Sequence, residues 1–177
     1  MPIHFASGDL LETRAQTLVN TVNCQGVMGK GIALQFKKRF PRMFDDYVSR
    51  CKRGEVRLGE PYAYEERGTR IINFPTKGHW KASSRIGDIR AGLNYLRNHL
   101  DEWNVHSIAI PPLGCGNGGL EWDDVRPLIV RAMEDAAIDV YVYEPPGAAH
   151  QNEGTADRQP MLSLFPGDGS ARDVLND

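Results

Sequence analysis

Along the chain, short runs of β-branched and aromatic residues alternate with stretches in which apolar side chains recur every three to four positions. This is the pattern of strands layered between helices, an α/β fold. The spacing predicts strands at Ile3–Phe5, Thr17–Val22, Tyr62–Tyr64, Arg70–Phe74, Val105–Ile110 and Val140–Tyr143. Phe44, Tyr47, Val48 and Cys51 form one helical stripe, entered at Pro41, a favoured first-turn residue, and stopped at Gly54. Ile86, Ile89, Leu93, Leu96 and Leu100 form a longer one, with Ser83 and Ser84 as candidate caps. Trp122, Val125, Leu128, Ile129 and Ala132 form another. Core packing is role enough for all of these apolar positions.

The periodicity stops at Pro145-Pro146. Residues 147–177 are rich in Gly, Asp, Ala and Ser, hold one apolar cluster at Met161–Phe165, and read as a tail or docking extension behind a domain over 1–146. A length of 177 residues suits that division and not two full domains. No run approaches the ~18 apolar residues that a membrane span needs. The first residues carry an acid and neither a basic segment nor a long apolar one, so no secretory or transit peptide is expected and the protein reads as cytoplasmic. Cys24, Cys51 and Cys115 are odd in number, and the five histidines show no HxxxH or HExxH spacing. Neither a disulfide framework nor a metal site is expected.

The formal charge is only −2, yet it is unevenly placed. Residues 30–57 hold nine Lys/Arg against three acids and residues 77–97 five against one, whereas residues 121–146 hold seven acids against two arginines. The middle of the chain can therefore present a cationic face to an anionic ligand, although solvated helix surfaces explain the same counts. A chain of this net charge is no general nucleic-acid binder, so any such partner is held locally.

Three segments carry chemistry. In Val19–Leu34 an apolar strand runs into Gly26, Gly29 and Gly31 and then into a helix. Glycines at such a junction let backbone N–H groups approach a ligand, and the helix N-terminus adds positive potential, which suits a diphosphate. The spacing is neither a P-loop nor the GxGxxG of a dinucleotide fold. A tight turn alone would also use these glycines. A second glycine loop, Gly114–Leu120, likewise follows a strand and precedes a helix. It does satisfy GxGxxG, with Glu144 some 25 residues on, but Pro111-Pro112 interrupts the junction and too little chain follows for a second mononucleotide half. Two such loops suggest a clamp on one pyrophosphate from both sides.

The third segment, Asn73–Trp80, sets Lys77 and His79 at the end of a strand, where open α/β sheets bind ligands. Lys77 lies between a Pro-Thr turn and Gly78-His79-Trp80, so its amine is either a partly desolvated nucleophile or acid–base group, or a solvated surface charge. Asp9, on an early strand-ending loop, suits an exocyclic amine, though capping the next helix is its simpler task. Cys24 and Cys115 have no base partner in sequence, which argues against thiol catalysis.

Gly8-Asp9-Leu10, Val19-Asn20-Thr21-Val22-Asn23, Gly29-Lys30-Gly31-Ile32-Ala33, Thr76-Lys77 and Gly114-Cys115-Gly116 together resemble a macrodomain, the ADP-ribose-binding module. The resemblance covers residues 1–146. The stretches Asn20–Lys37, Asn73–Trp80 and Pro111–Trp122 resemble the DNA ADP-ribosyl glycohydrolase antitoxin branch, related to the terminal ADP-ribose protein glycohydrolases. The family implies a three-layer α/β/α fold around a mixed six-stranded sheet, with the ligand across the strand ends. It implies Lys77 as the catalytic lysine, Asp9 at the adenine amine, Asn23 at the distal ribose, Gly29, Lys30, Gly31 and Ile32 at the diphosphate, and Gly114, Cys115, Gly116 and Asn117 on the opposite wall. Leu10, Asn20, Thr76 and His79 belong to the same ligand-binding motifs.

The activity implied is hydrolytic removal of ADP-ribose from ADP-ribosylated single-stranded DNA, without a cofactor, by a monomer. A cognate ADP-ribosyltransferase toxin is the implied partner. Removal from modified Glu/Asp on proteins, or binding of ADP-ribose without turnover, are the alternatives. This chain departs from the pattern in two ways. Its second loop has Asn117 where some related hydrolases place an aspartate, and the antitoxins commonly continue into a further domain.

Overall fold

The structure is a computed structural model and describes residues 3–148. Six strands form one sheet: β1 (Ile3–Ala6), β2 (Thr17–Asn23), β3 (Tyr62–Glu66), β4 (Thr69–Lys77), β5 (Ser107–Ile110) and β6 (Asp139–Tyr143), in the order β1-β6-β5-β2-β4-β3. All neighbours are parallel except the β3–β4 hairpin at one edge, so the sheet is mixed as expected. Four helices complete the layers: α1 (Gly31–Arg39), α2 (Pro41–Lys52), α3 (Ile86–His99) and α4 (Trp122–Met133).

Alternation along the strands sorts their side chains onto two faces. Val19, Ile72, Phe74, Ile108, Ile110, Val140 and Val142 pack under Ile89, Leu93 and Leu96 of α3 and Val125, Ile129 and Met133 of α4. Leu18, Val22, Ile71 and Ala109 pack under Phe36 of α1 and Met43 and Tyr47 of α2. Gly92 allows α3 to sit directly on the sheet, because a Cβ there would lie 2.4 Å from Cζ of Phe74.

This sorting creates the site. The chain leaves β2 toward one face, into α1 and α2, but leaves the flanking strands β4 and β5 toward the other, into α3 and α4. The connections diverge at the C-terminal end of β2, and a crevice opens between them.

All six expected strands form, with shifted ends. β4 runs past Phe74 to Lys77, so the lysine is the last residue of the strand rather than part of a following loop. β5 begins at Ser107 instead of Val105, whose N–H is taken by the carbonyl of Leu100 in the turn after α3. Gly54 stops α2 as expected, at φ +69°. The caps expected at Ser83 and Ser84 do not form: Arg85 occupies the N-cap of α3 and donates no side-chain bond, and the Ser84 N–H instead donates to the Gly118 carbonyl at 2.9 Å. The apolar cluster Met161–Phe165 and all but the first two residues of the expected tail lie outside the described residues.

Candidate functional site

The crevice is a cleft of about 900 Å³, within the range of small-molecule sites. Its floor is the end of β2 (Thr21, Val22, Asn23) and of β4 (Thr76, Lys77); one wall is Gly29–Ala33 and the other Pro112 with Gly114–Gly118. Among the described residues three lysines line it, Lys30, Lys77 and Lys81, and no Asp or Glu does. An apolar cradle whose only charges are cationic selects an anionic ligand.

The first wall is held open from behind by Asn23. Its Oδ1 accepts from the N–H groups of Gln25 at 2.9 Å and Val27 at 3.4 Å, while its Nδ2 donates to the Val27 carbonyl at 2.7 Å. The fully buried Tyr47 hydroxyl stands 2.7 Å from the Asn23 carbonyl and 2.9 Å from Oδ1. Burial pushes this phenol well above its ordinary range, so it is a fixed neutral group. One Nδ2 proton of Asn23 is left for a ligand. Beyond the loop, α1 begins at Lys30 with no side-chain cap and no acid in its first turn. The N–H groups of Gly31, Ile32 and Ala33 thus remain available at the cleft, with the positive end of the helix behind them.

The second wall is braced by α3. A Cβ on Gly118 would lie 2.4 Å from Ser84 Oγ, and one on Gly114, at φ +73°, would lie 2.7 Å from Leu120 Cδ1. A larger residue at either position would have to push a neighbouring side chain aside, and the φ of Gly114 favours glycine as well. Gly116 meets nothing within 4 Å and borders the cleft. Asn117 bridges the walls: its Nδ2 is 3.8 Å from the position of a Cβ on Gly31, and its carbonyl oxygen is 3.4 Å from Lys77 Nζ.

The cleft therefore collects Asn23, Gly29, Lys30, Gly31, Ile32, Thr76, Lys77, Gly114, Cys115, Gly116 and Asn117. Four other expected ligand residues do not line it. Asn20 is fully buried on the opposite face of β2 from Val19 and Thr21, where its Nδ2 donates to Asn73 Oδ1 at 3.1 Å. Leu10 is buried in the core under α1 and α2. Asp9 takes its simpler task, accepting from the Leu11 N–H at 2.9 Å as cap of a 3-10 turn. Its strand β1 lies beside β6, whose end supplies Pro145 and Pro146 to the cleft, so Asp9 stands at the same edge of the sheet. His79 is turned out of the cleft, its Nδ1 accepting from the Lys81 N–H at 3.0 Å.

Sequence reasoning missed Val27, Trp80, Lys81, Pro145 and Pro146 as lining residues. Trp80 closes the segment chosen for Lys77 and Lys81 directly follows it, and that adjacency was the available signal. Burial raises all three thiols; Cys115 is pushed up to about 11, with Glu121 adding to the effect. They stay protonated near neutrality, against a thiolate nucleophile.

Comparison with known proteins fits this geometry. A DNA ADP-ribosyl glycohydrolase of Mycobacterium tuberculosis is 49% identical over 157 residues, covering 86% of this chain and 45% of that protein. The solved macrodomain of Mycobacterium tuberculosis DarG has 50% identity and a TM-score of 0.79, covering 81% of this chain and 98% of that one. From Thermosipho africanus, a DNA ADP-ribosyl transferase-DNA ADP-ribosyl glycohydrolase fusion protein is 36% identical over 162 residues, 81% of this chain and 42% of that protein. A Thermosipho africanus DarTG structure in complex with ADP-ribose has 37% identity and a TM-score of 0.76, covering 81% of this chain and 42% of that one. The chain thus spans less than half the length of these two curated relatives. The Macro domain model matches residues 19–129, from the central strand through both walls of the cleft into α4, and the chain belongs to the Macro domain family.

Proposed function

We propose that the chain is a hydrolase that releases ADP-ribose from ADP-ribosylated single-stranded DNA. The observation that carries this reading is the placement of Lys77, a primary amine at the floor of a cleft that cations and no carboxylate line among the described residues. The names of the relatives at 49% and 36% identity support DNA as the substrate class. In this reading the α1 N-terminus with Gly29, Lys30, Gly31 and Ile32 holds the diphosphate, Gly114–Asn117 closes over it, and Asn23 and Thr76 face the distal ribose. The free oxygen of Asp9 accepts from the adenine amine. Lys77 meets the anomeric carbon of the distal ribose, and water replaces the base there to give free ADP-ribose. Fixing that sugar beside the amine supplies the rate advantage.

With no acid lining the cleft among the described residues, the lysine bears the proton transfer or the nucleophilic attack that related sites assign to a carboxylate. The further partner in this reading is an ADP-ribosyltransferase toxin, consistent with the fusion arrangement named for the Thermosipho africanus relative. The chain is assigned to the cytoplasm, as a monomeric domain over residues 1–146.

A time course on an ADP-ribosylated oligonucleotide and on a protein modified at Glu/Asp tests the assignment. Loss of ADP-ribose from the oligonucleotide supports it, clearance of the protein alone points to a protein-directed hydrolase, and no turnover of either identifies a binding module. Affinity for the modified oligonucleotide falls steeply with salt if several Lys/Arg–phosphate contacts form, while that for free ADP-ribose falls less.

A further inference from the structure

The large apolar side chains exposed on the described surface are Phe5, Val27, Leu58 and Trp80, and Trp80 is the most exposed, at 43%. Phe5 is covered by the Arg126 guanidinium at 4.2 Å. The other three gather at the Lys77 end of the cleft. Val27 and Trp80 line it, and Leu58 Cδ1 lies 4.0 Å from the position of a Cβ on Gly78.

The indole is presented by a rigid turn. Gly78 is fastened to the end of β2 by the Cys24 N–H, which donates to its carbonyl at 3.2 Å, and the His79 carbonyl accepts from Ala82 at 2.9 Å. His79 stacks on the indole with ring centroids 5.8 Å apart and planes 24° apart, and Lys81 Nζ stands 4.8 Å from the ring centroid. Three residues of chain hold their Cα atoms within about 11 Å, and both side chains line the same cleft.

We infer that Trp80 is the stacking platform for the nucleobase carrying the ADP-ribose, with Lys81 beside it for the strand phosphate. This rests on the reading above and adds the residue that tells DNA from other carriers. An exposed flat ring with a lysine over it, in a cleft that no acid lines among the described residues, is the combination that holds single-stranded nucleic acid. A Glu or Asp carrier has no flat group to lay on the indole. Trp80 is a specificity residue here, not a catalytic one.

The test measures binding of a modified oligonucleotide, free ADP-ribose and an ADP-ribosylated peptide to Lys77→Ala protein, which keeps the substrate intact, with and without Trp80→Ala or Trp80→Phe. Trp80→Ala is expected to weaken the oligonucleotide by about 5- to 100-fold, at least five times its effect on either other ligand, and Trp80→Phe to recover most of the loss. Equal weakening of all three ligands places Trp80 in the ADP-ribose cradle, and equal weakening of oligonucleotide and peptide makes it a general rim; either overturns the inference. So does no weakening. Parent protein that neither binds nor clears the oligonucleotide better than the peptide overturns the DNA reading itself, a result read before any Trp80 variant. The indole is exposed, so a thermal melt close to that of the parent confirms that the variant folds.

Discussion

Lys77 reaches across the cleft to Asn117, with its Nζ 3.4 Å from the Asn117 carbonyl oxygen. The end of β4 and the second glycine loop thus touch at the point where a ligand must pass. In the proposed reading an entering sugar takes the place of this contact, and the displaced amine faces it. Lys77→Ala is expected to slow release of ADP-ribose from a modified oligonucleotide by about 10²–10⁴-fold, with a much smaller change in affinity for free ADP-ribose. If the amine attacks the sugar carbon, borohydride during turnover fixes an ADP-ribosyl adduct on Lys77, detectable by peptide mass spectrometry. A role in proton transfer leaves no adduct.

Lys30 is a poor cap for α1, and the site depends on that. Its backbone is already in the extended conformation of an N-cap, at φ −144° and ψ 158°, but its side chain satisfies none of the first-turn N–H groups. Lys30→Asp supplies the missing acceptor and is expected to stabilise the fold by about 1 kcal/mol. The same carboxylate sits where the diphosphate is proposed to bind, so affinity for ADP-ribose drops by more than about tenfold. Chemical denaturation and calorimetry should move in opposite directions, and a gain in both would remove the α1 N-terminus from the binding site.

Gly118 and Ser84 are in contact too close for any larger residue. Gly118→Ala forces the second glycine loop off α3 and is expected to cost about 1–3 kcal/mol of stability along with ADP-ribose affinity. Adding Ser84→Gly removes both atoms that the new methyl meets, at 2.4 and 3.1 Å. The double variant should regain at least half of the lost affinity. Recovery of stability without affinity would show that the loop position does not govern binding.

Stability should fall at alkaline pH. Burial raises Cys24, Cys51, Tyr47 and Tyr62, and it raises Cys115 to about 11. In each case the folded state keeps a proton that the unfolded chain releases first. This contribution is complete below the unfolded thiol value, roughly pH 8.5, and is lost as the pH rises through the folded values. Urea midpoints measured from about pH 8 to 11 should decline, and less steeply in Cys115→Ala. An unchanged slope in that variant would remove Cys115 from the account.

The elements and the chemistry-bearing segments were legible along the chain because each depends on its near neighbours. Strand alternation, the 3.6-residue stripes, Pro41 and Gly54 at the ends of α2, and two glycine loops at strand ends all act over a few residues. What the chain order does not show is which distant group claims a side chain first. Ser84 is spaced to cap α3, but the helix starts one residue later, with Arg85 at the N-cap, and Ser84 is drawn to the second glycine loop, 34 residues on, where its N–H donates to the Gly118 carbonyl. Asn20 lies in a motif shared with ligand-binding residues, yet β4 pairs beside β2 and Asn73 claims its amide inside the core. Asn23, an odd number of residues later, falls on the other face by strand alternation and lines the cleft. The cleft itself exists only because β2 sends its helices to one face and β4 and β5 send theirs to the other. That is a property of strand order, set when two layers of apolar side chains choose which side of the sheet to cover.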